Sequence, residues 1–429
     1  MWKNRNLWIL MIAEGGSGLG MWFGIIGNLE FLQQMVPSDF LKAAILLSGL
    51  FVGTLTAPYA GSVIDRQGGQ AVMGWSGIAR VCGLLFMFLA LATDSVGWMV
   101  LFMVVNGVAA SFYLPALQSL IPLIVEEKHL VAANGLHMNV ATFSRIAGTA
   151  LAGLLLTVTD LVGMYLVAMF GYLFLVLLTP FLRIDRGETG KAAPARGQEG
   201  IPACDRPPQE PAAAVADTGH RFADLLPVLR ASSMVPQVLL LSFVPLTLLG
   251  CFNLTVIAIS EQTADPSIKG LLYTTEGICA IAGTFAARML SHRRNQIYVM
   301  TVSVLLVGLA YLSLTFAQHW PFYLTSFAVM GLGVGSFFPL SAALYQQQIP
   351  KQFHGRFFSL VDMMENSYFL FVMLTAGLLL DTIGLSLMAL SMSSFSLCII
   401  GYVIVRQLWR LPRSHQRTAG LDGDISQQP

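Results

Sequence analysis

The chain is divided into roughly a dozen stretches of about 20 nearly uncharged residues, the length a helix needs to cross the hydrocarbon of a bilayer. They fall at 7–27, 42–63, 71–93, 97–118, 135–158 and 162–182. After a polar gap come 235–258, 270–290, 297–317, 321–345, 356–380 and 385–405. A lipid-facing strand would alternate apolar and polar residues, and these runs do not. The expectation is an all-α membrane protein of twelve transmembrane helices. Many runs contain Gly and several contain Pro, which membrane helices tolerate through close packing and kinks. Charged residues make up 11% of the chain, against about 25% in a soluble one. Lys3 and Arg5 precede the first run as in a signal peptide. That run continues to about Gly27 without an A-x-A-like site, so it reads as an uncleaved first span.

Charge sets the expected topology. Of 24 Lys and Arg, Arg80 and Arg145 lie well inside runs, and Lys42 and Lys269 sit at outer helix ends. The remaining 20 cluster at the N-terminus, in or beside alternate loops near Arg66, Lys128, Arg183, Arg293 and Lys351, or in the tail. The positive-inside rule then puts both termini and the central loop in the cytoplasm of a bacterial inner membrane. The segment 187–220 is rich in Pro, Ala and Gly and reads as a disordered linker. The expected organisation is a six-helix half over 1–182, a cytoplasmic linker over 183–234, a second half over 235–405 and a cytoplasmic tail over 406–429. Residues 221–234 read as a short interfacial segment, weakened by Pro227. A net charge of +1 gives no sign of nucleic-acid binding. Five scattered cysteines with no C-x-x-C pair give no sign of metal or redox chemistry. No cofactor is expected.

The halves repeat. Gly107 to Pro115 reads GVAASFYLP, and Gly331 to Pro339 reads GLGVGSFFP, 224 residues later. Six spans separate the copies, so both run the same way through the membrane. That is a parallel repeat about an axis along the membrane normal.

Two six-helix halves with a central linker resemble the major facilitator superfamily. The loop Gly61-Ser62-Val63-Ile64-Asp65-Arg66-Gln67-Gly68-Gly69-Gln70 resembles its G-x-x-x-D-R-x-G-R-R/K signature, with Gly69 and Gln70 where a basic pair is usual. The resemblance implies that Gly61 lets the second and eleventh helices approach, and that Asp65, with Arg66, holds the cytoplasmic helix ends in a gate. Within the family, Ile349-Pro350 through Gly355-Arg356-Phe357-Phe358-Ser359 is similar to the branch of macrolide-efflux and enterobactin exporters, and adds Gly355 and Arg356 to the gate. Pro115 to Pro122, Ala133 to Leu136 and Gly148 to Gly153 point to the same branch, with Thr149 where Pro is usual. The opening GMWFGIIGNLEFLQ resembles exporters of self-made peptide antibiotics. Many branch members carry an acid where this chain has Met21.

Ionisable groups at bilayer depth are functional candidates by default. Here they are Glu14, Glu276, Asp362 and Glu365, with Arg80 and Arg145. Glu14 and Glu365 are the first choices for proton or substrate contact. Arg145 is expected to face the bundle interior and to supply a competing positive charge to one of them. Arg80 either snorkels or faces inward, Glu276 is either wet or functional, and Asp362 either pairs with a cytoplasmic Arg or functions. Trp22, Phe112, Tyr113, Phe337 and Phe338 either line a greasy pocket or pack on lipid and neighbours. His137 and Asn139 have no clear partner. The leading reading is a monomeric, proton-coupled exporter of a small, partly hydrophobic molecule, touching membrane lipid. A nutrient importer or lipid flippase of the same fold, and a receptor or scaffold, stay as alternatives. No G-x-x-x-x-G-K-[ST] loop for ATP exists, and no constellation for covalent chemistry appears.

Overall fold

The computed structural model describes residues 2, 4–126, 129–182, 234–291, 295–317, 319–350 and 354–408, without the side chains of 131, 354–356, 359 and 408. These residues form helices throughout. In chain order they are α1 (Arg5–Met35), α2 (Asp39–Gln67), α3 (Gly69–Thr93), α4 (Val96–Ile124), α5 (Leu130–Leu155) and α6 (Leu161–Leu178). There follow α7 (Val235–Thr263), α8 (Ile268–Ser291), α9 (Gln296–Ser313) and α10 (Trp320–Gln348). A last helical stretch, His354–Leu408, is broken at Gly384, whose φ of 74° is left-handed. That break makes it two helices, α11 (354–383) and α12 (385–408). The linker at 187–220, the segment 221–233 and the tail from 409 lie outside the described residues.

Short polar residues set the helix starts, as capping chemistry requires. Asn4 accepts from the amides of Asn6 and Leu7 to begin α1, and its own amide donates to the Ile124 carbonyl at the end of α4. Ser38 starts α2, Asp160 starts α6 and Asn295 starts α9. Gly68, at φ 85°, turns the chain between α2 and α3. Only glycine takes that conformation without strain. Large apolar side chains such as Phe170, Phe285 and Leu177 stand exposed on the outside of the bundle. That surface suits hydrocarbon and not water.

Nine stretches among the described residues are long and apolar enough to cross a membrane, and the longest, Leu360–Gln407, holds both α11 and α12. Hydropathy therefore accounts for ten of the twelve expected spans. The other two, α5 and α8, are full-length helices but are too polar to qualify. They carry Arg145 and Glu276, and they pack on each other.

The packing repeats. In the first half α1 packs on α5 and α6, α2 on α4, and α3 on α4 and α6. In the second, α7 and α9 pack on the 354–408 stretch, and α8 and α9 on α10. Between halves, α5 meets α8 and α2 meets the 354–408 stretch. Advancing each helix by six exchanges these two seams, as a parallel two-fold requires. The glycines of the sequence repeat occupy matching places. A Cβ on Gly107 would strike the backbone of Gly49 in α2, and one on Gly331 would strike the Glu276 carbonyl in α8. The same spacing of 224 residues relates Gly153 to Gly377. Gly153 meets Gly270 across the α5–α8 seam, and Gly377 meets Asp39 and Phe40 across the α2–α11 seam.

We call the side where α1 begins the N-terminal face and the opposite side the far face. Gly153–Gly270 and Gly377–Asp39 both lie towards the far face. At the N-terminal face, a Cβ on Gly61 would find none of the described residues within 4 Å. The halves thus meet closely at the far face, while beside Gly61 no described residue of the second half comes that near.

Candidate functional site

Inside the first half, charge gathers at one depth. Counted at about 1.5 Å per residue, Glu14, Arg80, Tyr113 and His137 lie roughly 10–16 Å in from the N-terminal face. Glu14 comes from α1 and its side chain is 12% exposed. The Tyr113 hydroxyl of α4 donates to it, and His137 Nε2 of α5 lies 3.6 Å from its Oε1. Arg80 of α3 is buried, with its guanidinium 4.5 Å above the Tyr113 ring and 5.4 Å from the Tyr172 ring of α6. Its Nε has no hydrogen-bond partner among the described residues. Tyr113 thus touches both charges, the carboxylate with its hydroxyl and the guanidinium with its ring face. A guanidinium cannot shed its charge, and two aromatic faces offset part of its lost hydration. Arg80 does not snorkel, and His137 has a partner.

Along α5 the α5–α8 seam is built in steps four residues apart, at Arg145, Thr149 and Gly153, which share one face of that helix. Arg145 Nη1 of α5 lies 3.0 Å from Glu276 Oε2 of α8. Glu276 is buried, and Gly277 leaves room beside it, since a Cβ there would sit 3.2 Å from Arg145 Nη2. One turn on, the hydroxyls of Thr149 and Thr274 share a hydrogen bond of 3.0 Å. One turn further, Gly153 and Gly270 bring the backbones together. Two expectations are corrected here. Glu276 is not simply wet, and the carboxylate that meets Arg145 is Glu276, not Glu14 or Glu365.

In the second half, Glu365 of α11 is half-buried. Asp362, one turn away, is exposed. Trp22 of α1 meets Tyr273 of α8 edge-on at 5.9 Å, and Tyr273 also packs on Phe252 of α7 at 4.7 Å. An aromatic contact therefore bridges the halves. Phe337 is fully buried, in ring contact with Phe338.

The loop after α2 shows why its last two signature positions differ. A Cβ on Gly69 would collide with the Ser119 hydroxyl and lie 3.0 Å from the Ala116 carbonyl, so a longer side chain would have to displace Ser119. Gln70 Nε2 donates to the carbonyls of Thr179 (2.9 Å) and Leu182 (3.0 Å) and ties the start of α3 to the end of α6. Asp65 and Arg66 are exposed at the end of α2. No side-chain cap is present at Gly68, where α3 begins. Gly355 and Arg356 lie in the first turn of α11, and their side chains are outside the described residues.

The sequence reading missed Glu30, because α1 runs eight residues beyond Gly27, to Met35. Length was the available signal: the helix ends only at the extended residue Val36, just before Pro37 and the Ser38 cap.

Comparison with known proteins agrees with this architecture. The family model described as the Major Facilitator Superfamily matches residues 10–260 and 238–425. Macrolide efflux protein A of Streptococcus pyogenes is 24% identical over 377 residues, covering 86% of this chain and 88% of the relative. Macrolide efflux protein A of Enterococcus faecalis is 26% identical over 334 residues, covering 75% and 96%. Among solved structures, a bacterial homologue of the iron transporter ferroportin in an inward-facing state superposes with a TM-score of 0.69 at 16% identity, covering 93% of this chain and 98% of that one.

Proposed function

The chain belongs to the major facilitator superfamily, a family of transporters and not of enzymes, and from that we propose that it exports a small, partly hydrophobic compound, an antibiotic or secreted metabolite, in exchange for protons. The cycle is alternating access between the two halves. The observation that carries the proton assignment is Glu14, a carboxylate inside the bundle that meets Tyr113 and His137 and has no lysine or arginine in ion-pair contact among the described residues. A permanent ion pair would hold a carboxyl ionised, and no such pair fixes Glu14 among the described residues. Glu365 of α11, half-buried in the second half, is the second candidate carboxyl. The aromatic cluster of Trp22, Tyr273 and Phe252 at the meeting of the halves offers apolar ring surface of the kind a greasy cargo needs.

Export is supported by the two macrolide efflux relatives. The clustering of Lys and Arg supports an orientation with the N-terminal face in the cytoplasm, so that the conformation described is open inward, where cargo loads. The test is uptake of a radiolabelled macrolide into everted vesicles, with and without a protonophore. Uptake that needs the proton gradient is expected. Gradient-independent uptake would remove the proton coupling, and no uptake of any compound to which the protein confers resistance would remove export.

A further inference from the structure

The far face is fastened twice in the same way. Lys42, in the first turn of α2, is 2% exposed, and its Nζ lies 2.8 Å from Glu261 Oε1 at the end of α7 and 2.8 Å from Asp39 Oδ1. Lys269, in the first turn of α8, is fully buried. Its Nζ lies 2.6 Å from Glu30 Oε2 near the end of α1 and 2.7 Å from the Ser260 hydroxyl of α7. The two-fold that exchanges α2 with α8 also exchanges α1 with α7. In each half, then, a lysine opening the second helix takes a carboxylate from the end of the other half's first helix. A third contact stands outside this symmetry. The Asp381 carboxylate accepts from the Ser38 hydroxyl (2.7 Å) and the amides of Asp39 (2.6 Å) and Phe40 (3.0 Å), at the positive end of α2.

We propose that Lys42–Glu261 and Lys269–Glu30 are a symmetric pair of clasps that hold the far face shut, and that Lys269–Glu30 is the stronger. The inference rests on the family's alternating-access cycle and on none of the proton or cargo assignments. Exposure separates the two clasps. The Glu261 side chain is 41% exposed, and an ion pair at the water's edge contributes little. The side chains of Lys269 and Glu30 are 0% and 7% exposed. A buried pair repays its lost hydration where the contact is close and further hydrogen bonds complete it, and here the 2.6 Å contact and the Ser260 hydroxyl do both, so the intact clasp favours the closed state. A clasp missing one partner is different. Glu30→Gln leaves Lys269 dry and without its carboxylate only while the face is closed, so it penalises only the closed state.

Pulsed electron paramagnetic resonance on the full chain, cysteine-free apart from the labels, tests this without cargo or proton gradient. Spin labels at Val158→Cys and Phe322→Cys, both at exposed sites, report the far face. Labels at Ser62→Cys and Met363→Cys, also exposed, report the N-terminal face. Glu30→Gln is expected to add a longer far-face distance and raise the open-to-closed ratio about tenfold or more, with a shorter N-terminal-face distance in the same population. Glu261→Gln is expected to change the ratio by no more than about fivefold. The exchange Glu30→Lys with Lys269→Glu should restore the closed distance. An unchanged distribution in a folded Glu30→Gln protein, or a larger shift in Glu261→Gln, overturns the proposal. If Glu30→Gln does not fold, the exchange decides: a closed far face supports the clasp and an open one refutes it.

Discussion

Arg145 and Glu276 belong to different halves and meet at 3.0 Å across the α5–α8 seam, with the carboxylate buried and the guanidinium partly open to its surroundings. Each charge is therefore kept inside the bundle by a residue from the other half. Arg145→Ala and Glu276→Ala should each destabilise the fold, and the double variant should do so by less than their sum. A coupling of about 1–3 kcal/mol is expected. Thermal unfolding of the four proteins in detergent measures it, and additive losses would mean that the pair contributes nothing as a pair.

Tyr113 separates into two parts. Tyr113→Phe removes the hydroxyl that donates to Glu14 but keeps the ring over Arg80. Melting temperature should stay near that of the parent, while proton-driven uptake falls on the order of tenfold, about 1.4 kcal/mol. Tyr113→Ala also removes the ring and should lower the melting temperature, because Arg80 loses a cation–π partner. Equal uptake in Tyr113→Phe and the parent would separate Glu14 from coupling.

Glycines at the seams and at Gly61 should behave oppositely. Gly270→Val places atoms against the backbone of α5 and should destabilise the resting fold by about 1–3 kcal/mol or more. Gly61→Val enters open space and should leave the melting temperature unchanged. If α2 and α11 must close at this end during transport, Gly61→Val still abolishes uptake. Normal uptake in that variant would mean that no close approach occurs there.

Asp65→Asn should keep the fold, reduce transport and raise the share of molecules open at the N-terminal face. Labels at Ser62 and Met363 read that share directly. Unchanged distances and unchanged uptake would leave the exposed Asp65 with no part in a gate.

Topology has its own test. A single cysteine at Gln209, within the linker, should react with an impermeant maleimide only after the cells are broken. Reaction in intact cells would invert the proposed orientation, and with it the reading of the far face as external.

Composition and run length made most of the fold legible. The GVAASFYLP and GLGVGSFFP segments, with their common spacing, carried the two-fold before any contact was known. What stayed hidden was pairing. Glu276 and Arg145 were each visible as costly charges, but nothing in the sequence says that α5 faces α8. Glu30 was invisible for another reason: α1 extends beyond its apolar run, so a carboxylate outside the expected span is in fact buried in a helix. His137 was noticed without a partner because contacts between α1 and α5 have no local signature. Gln70 read as a weakened signature, whereas it replaces a charge with two backbone hydrogen bonds inside the first half.

The polarity of α5 and α8 bears on how the chain is made. An arginine at the centre of an isolated helix opposes insertion by roughly 3 kcal/mol, and α5 is synthesised long before its carboxylate partner in α8 exists. During translation the first half must therefore shelter Arg145 in the insertion machinery, in water, or against lipid headgroups until α8 arrives. Residues 1–182 expressed alone would keep that arginine without its counter-charge, and residues 235–408 alone would keep Glu276 in the same position. Supplied together in one cell, the two pieces would find each other through the seam that makes each unable to settle by itself.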